Sequence, residues 1–213
     1  MELLASILDL FLHLDKHLSA VIQQFGALSY VILFLVIFCE TGLVVTPILP
    51  GDSLLFVVGA FAAKGDIDLV LIYALLCIAA VAGNMANYHI GRFLGPKVFE
   101  KNSRVLKKEY LERTHAFYEK HGGKAIVIAR FLPIIRTFAP FVAGIGRMEY
   151  CRFVLYNLAG CVAWITSFVL GGYFFGNIPI VKENLTVVIF VIIIVSLVPS
   201  GIEFVRHRRA SGK

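Results

Sequence analysis

Of the 213 residues, 59% are hydrophobic and only 16% are charged, against roughly 25% charge in an ordinary soluble domain. A water-soluble globule is excluded, and stretches such as Asn184 to Glu203 are long enough at 1.5 Å per residue to cross a bilayer core of roughly 30 Å. The net charge of +6 is concentrated in two places. Segment 95–124 holds Lys97, Lys101, Arg104, Lys107, Lys108, Arg113, Lys120 and Lys124, and the tail 205–213 holds Arg206, Arg208, Arg209 and Lys213. Lys and Arg in short loops set membrane orientation, so both are expected in the cytoplasm. These charges flank apolar spans without a recognition motif, which sets nucleic-acid binding aside.

In chain order, residues 1–26 place Asp9, His13, Asp15, Lys16 and His17 among Leu, Ile and Phe at helical spacing, a pattern too polar to span. An amphipathic surface helix is predicted. No Lys or Arg precedes its apolar start, so it is expected to stay uncleaved. His13 and His17, spaced i and i+4, share a helix face with Asp9 but have no further strong ligand nearby, and Cys39, Cys77, Cys151 and Cys161 form no CxxC pair. Neither a metal site nor a disulfide framework is expected, and no cofactor is implied.

Residues 27–64 predict a re-entrant hairpin. The apolar run Ala27 to Val45 contains Glu40 and meets Pro47, Pro50 and Gly51, which break a helix, before a short return limb from Ser53 to Ala63 that covers about half a bilayer. Residues 69–94 form a full span rich in small residues. The basic segment 95–124 includes an amphipathic helix from Glu109 to His121. Residues 125–146 hold Arg130, Pro133, Arg136 and Pro140. Spans at 153–176 and 184–204 follow, and with the tail inside, counting back puts both ends of 125–146 on the cytoplasmic side. This second prolyl segment is therefore also read as re-entrant, a path tolerated where protein or a watery cavity surrounds it.

Gly91-Arg92-Phe93-Leu94-Gly95 and Gly172-Tyr173-Phe174-Phe175-Gly176 close two spans that each follow a proline-broken hairpin and run in opposite directions. The expected fold is an all-α polytopic membrane protein with two opposed re-entrant hairpins, each followed by a Gly-rich transmembrane helix as an inverted repeat. A C-terminal span and the N-terminal surface helix complete it.

Charge in an apolar span costs about 2.5–3.5 kcal/mol on insertion scales, which makes Glu40, Asp52, Arg130 and Arg136 the candidate site. Guanidinium forks suit phosphate, so Arg130 and Arg136 are the expected phosphate ligands, with Pro133 freeing amide donors between them. Low-dielectric surroundings favour a neutral carboxyl, so Glu40 and Asp52 are the expected proton carriers. Two buried salt bridges locking the hairpins together would account for the same four residues.

Glu40-Thr41-Gly42, then Leu49-Pro50-Gly51-Asp52-Ser53-Leu54-Leu55, Asn87-Tyr88-His89-Ile90-Gly91-Arg92, and the run from Ala129 to Gly144 appear in an order that resembles the DedA family of bacterial membrane proteins. The resemblance implies a bacterial inner-membrane protein that moves a lipid phosphate, either undecaprenyl phosphate or a phospholipid, between leaflets at the expense of the proton motive force. It implies that the family's acidic and arginine positions fall on Glu40, Asp52, Arg130 and Arg136. Many members carry Asp where this chain has Asn84, an amide that does not titrate. The implied partners are membrane lipids and protons, and a homodimer is compatible with the pattern.

Three other readings share these residues: a proton-coupled small-ion exchanger for pH homeostasis, a non-transporting membrane organiser, and a lipid phosphatase. The last is disfavoured, because Ile202 follows Pro199-Ser200-Gly201 where a histidine is needed and His89 alone lies within a predicted span. No enzyme is expected.

Overall fold

The computed structural model describes residues 14–43, 51–98 and 122–179, with positions 181, 187–188 and 190–192. Pro47, Pro50, the Glu109–His121 helix, most of the 184–204 span and the tail lie outside the described residues. Among the described residues the regular elements are helical: α1 Leu14–Phe25, α2 Leu28–Gly42, α3 Gly51–Lys64, α4 Leu69–Val98, α5 Ala125–Ala129, α6 Pro133–Ile145 and α7 Tyr150–Phe175. A 3₁₀ turn, Gly122–Lys124, leads into α5.

Among the described residues two helices are long and apolar enough to cross a membrane, Leu69–Leu94 within α4 and Tyr150–Phe175. Each is 26 residues, or about 39 Å of helix. Leu69 to Gly91 carries no Asp, Glu, Lys or Arg, nor does any residue of α7 after Arg152. Val70, Phe93, Leu155 and Phe174 are each 66% or more exposed, an apolar surface suited to lipid rather than to water.

The chain divides into two compact units, Met1–Leu35 with Pro50–Leu76 and Ile165–Lys213, and Val36–Leu49 with Cys77–Trp164. In the first unit, α3 is buried from Ser53 to Ala62, so it is a core helix without a solvent face. Gly59 and Gly172 let backbones meet there. A Cβ on Gly59 would strike the carbonyl of Val169, and one on Gly172 the carbonyl of Phe56. After Lys64, Gly65 takes φ +85, and Gly65 N–H and Asp66 N–H donate to the carbonyls of Ala62 and Phe61 at 3.1 and 3.2 Å. That pair of bonds is a Schellman cap, which needs a left-handed residue. Asp68 then caps α4, its Oδ1 accepting from Leu71 N–H at 2.7 Å.

The second unit has a matching seam. A Cβ on Gly144 of α6 would strike the carbonyl of Tyr88, and one on Gly91 of α4 the carbonyl of Phe141. Tyr88 stacks on Phe153 with centroids 4.3 Å apart, and its hydroxyl donates to the Met148 carbonyl at 2.5 Å. Close approach recurs where a Cβ on Gly42 would lie 3.3 Å from Gly83 Cα and one on Gly160 3.2 Å from Val127 Cα.

The break inside 125–146 has a local cause. Leu132 is extended, at φ −119 and ψ 100, and Pro133 opens α6, because a proline forces the residue before it out of the helical region. Pro140, expected at a second break, lies instead within α6. Its missing N–H costs the bond to the Arg136 carbonyl one turn back, yet the helix continues, held by the buried neighbours Phe138, Ala139, Phe141, Val142 and Ala143. Gly51, also expected at a break, is the first residue of α3.

Candidate functional site

The second unit concentrates buried polarity. Glu40 and Thr41 come from the end of α2, Asn84 and Asn87 from α4, Arg130 from the break after α5, Arg136 and Thr137 from α6, and Asn157 from α7, and all are buried. The Leu132–Pro133 break ends α5 at Ala129 and restarts the chain as α6, which presents Arg136 one turn in.

Arg136 Nη2 donates to Glu40 Oε1, joining α6 to α2 by an ion pair 7% and 1% exposed. Arg130 has different company. Its Nη2 donates to Asn157 Oδ1 at 3.2 Å and to Cys161 Sγ at 2.8 Å. No carboxylate among the described residues pairs with it, and its Nε has no hydrogen-bond partner there. Both guanidiniums lie over the ring of Trp164, Arg136 Cζ at 5.2 Å and Arg130 Cζ at 5.6 Å from the centroid, within cation–π range. Trp164 is fully buried and is the chain's single tryptophan.

Around the arginines runs an amide network. Asn84 Nδ2 donates to Asn157 Oδ1 at 2.5 Å, and Asn157 Nδ2 donates to the Val81 carbonyl at 3.2 Å. Asn87 Nδ2 donates to the carbonyls of Thr41 and Thr137 at 3.3 and 2.8 Å, tying α2 and α6 to α4.

Of the four charged residues read from the sequence, Glu40, Arg130 and Arg136 therefore sit in one buried network. Asp52 is half-buried in the first turn of α3, in the first unit, where a negative charge suits a helix N-terminus. Arg136 is engaged by a carboxylate and Arg130 only by neutral groups, so the two expected phosphate ligands are not equivalent. Sequence reasoning missed Asn87, Asn157, Cys161 as an arginine partner, and Trp164. Amides inside otherwise apolar spans were the available signal.

A network of this kind can bind an anion against a buried positive charge and can exchange a proton at a carboxylate that holds a second arginine. The family model of the VTT domain matches residues 49–174. The chain is similar to Protein DedA of Escherichia coli (strain K12), 51% identical over all of this chain and 99% of that one. An uncharacterized membrane protein of Mycobacterium leprae (strain TN) is 45% identical over 78% of this chain and 74% of its own. The inner membrane protein YqjA of Escherichia coli (strain K12) is 34% identical over 84% of this chain and 82% of its own. No solved structure matches.

Proposed function

The chain belongs to the VTT-domain (DedA) family of membrane proteins, and from that premise we propose that it moves a lipid phosphate, undecaprenyl phosphate or a phospholipid, between leaflets of a bacterial inner membrane at the expense of the proton motive force. The observation that carries this reading is Arg130, 2% exposed and answered among the described residues by an amide, a thiol and an aromatic face. A buried guanidinium without a carboxylate costs several kcal/mol as it stands, and phosphate is the anion its fork fits. Glu40 supplies the coupling. Protonation removes its charge, loosens its hold on Arg136 and turns a second guanidinium toward the same phosphate.

The proposed frame is multi-pass with its C-terminus cytoplasmic, and its two broken segments are opposed re-entrant hairpins related by an inverted repeat. The glycine seams support the repeat. Phe56 and Gly59 stand to Val169 and Gly172 as Phe141 and Gly144 stand to Tyr88 and Gly91, residue for residue. The protein acts without catalysis, on membrane lipids and protons.

The test is leaflet-to-leaflet movement of undecaprenyl phosphate in proteoliposomes under an imposed pH gradient. Gradient-dependent movement is expected with the wild type and is lost in folded Glu40→Gln. A wild type that moves no lipid but carries ions along the gradient would replace this reading with ion exchange.

A further inference from the structure

Among the buried polar atoms of the second unit, Arg130 Nε, Asn84 Oδ1 and Asn87 Oδ1 have no hydrogen-bond partner among the described residues. Their neighbours fix which is donor and which acceptor. A guanidinium only donates, so the atom of Asn157 facing Arg130 is its oxygen. That same oxygen faces Asn84, so Asn84 presents its NH₂ there and its Oδ1 is left pointing elsewhere as an acceptor. Asn87 gives its NH₂ to two backbone carbonyls, which leaves its Oδ1 an acceptor as well. Flipping any of the three amides would set acceptor against acceptor or donor against donor.

Arg130 Nη2 and Asn84 Nδ2 meet at the Asn157 oxygen, so the side chains that carry the orphaned donor Nε and the orphaned acceptor Oδ1 are neighbours. A bare anion satisfies the donor and repels the acceptor. A ligand that answers both carries an anionic oxygen and a hydroxyl on the same group, and a phosphate monoester in its singly protonated form does so. A phosphodiester, a sulfate ester and a phosphate dianion have no hydroxyl to give.

We propose that the site selects the monoprotonated form of a lipid phosphate monoester, with Arg130 Nε donating to P–O⁻ and Asn84 Oδ1 accepting from P–OH. The proposal rests on the anion-site reading above and narrows its substrate class from lipid phosphates in general to monoesters. It also gives Asn84 a role that needs no titration of its own, because the proton rides on the ligand. The second ionisation of a phosphate monoester lies at about pH 6. The bound form is therefore plentiful on an acidified face and scarce on a neutral one, which makes the lipid itself a proton carrier.

The experiment uses the full chain in maltoside micelles, with Trp164 fluorescence as reporter and hexyl phosphate, hexyl sulfate and the methyl ester of hexyl phosphate as probes. Below about pH 6 hexyl phosphate is expected to bind at least tenfold more tightly than either probe without a hydroxyl, since a site with a buried group for a ligand hydroxyl rejects analogues lacking it. Above that pH its affinity falls about tenfold per unit, following the monoprotonated fraction. In Asn84→Leu the preference for phosphate over sulfate collapses to about one. The wild-type comparison stands whether or not that variant folds. Equal binding of phosphate and sulfate with a flat pH profile overturns the proposal and leaves the anion site intact. A preference that persists in folded Asn84→Leu overturns the role of Asn84. Binding of none of the three overturns the anion site as well.

Discussion

At Gly59 an added Cβ would meet the Val169 carbonyl, at Gly144 it would meet that of Tyr88, and the reciprocal glycines Gly172 and Gly91 press against Phe56 and Phe141. The two units thus use the same backbone-to-backbone seam, and they differ in what surrounds it. In the first, the buried polar side chains among the described residues are Ser29 and Ser53; in the second they include Glu40, Arg130, Arg136, three asparagines and two threonines. A seam of small residues is enough to pack apolar helices, so packing does not require the charges of the second unit. They cost stability to bury and call for a functional account.

The comparison can be broken most forcefully at the ion pair. Glu40→Ala takes the carboxylate from Arg136 in a buried setting and is expected to cost about 3–5 kcal/mol, read as the shift in an unfolding titration in mixed micelles. A loss under about 1 kcal/mol would mean that water reaches the pair. Next come the seams. Gly172→Ala and Gly91→Ala each force a Cβ onto a backbone carbonyl, and each is expected to cost about 1–3 kcal/mol in the same titration. Similar costs support equivalent seams, and a neutral result at one glycine alone would break the equivalence. Smallest is the limb end. The helix α3 closes on Gly65, whereas α6 closes on Arg147 at φ 50, with Arg147 N–H and Met148 N–H reaching the carbonyls of Gly144 and Ala143. A side chain in that conformation is strained, so Arg147→Gly is expected to gain about 0.5–1 kcal/mol. A loss of stability would show that the Arg147 side chain makes a contact worth more than the strain.

Much of this frame was legible. The long apolar stretch 69–94, rich in small residues, reads as a full span from sequence, and it coincides with the apolar part of α4. The break at Leu132 followed from the proline after it. Pro140 reads as a break in sequence yet is helical, because a proline ends a helix only where tertiary contacts do not hold the next turn, and sequence does not display those contacts. The charged residues announced themselves by their cost in lipid, but their pairing did not: Glu40 and Arg136 are joined across 96 positions, and nothing local selects Arg136 over Arg130. The amides were hidden further, since Asn84 and Asn157 stand 73 positions apart and a single amide scarcely alters the hydropathy of a span.

The central claim is that Arg130 is buried for its charge and not for the fold. Arg130→Met keeps an unbranched stem beside Gly160, where an added Cβ would lie 3.3 Å from Arg130 Cγ, and removes the guanidinium. Unfolding titration of this variant, run alongside its movement of undecaprenyl phosphate in proteoliposomes, tests the claim most directly. The account predicts stability equal to or above that of the wild type, because an apolar side chain replaces a buried charge that no carboxylate among the described residues pairs with, together with loss of lipid movement. A markedly destabilised variant, or a stable one that still moves the lipid, would contradict it.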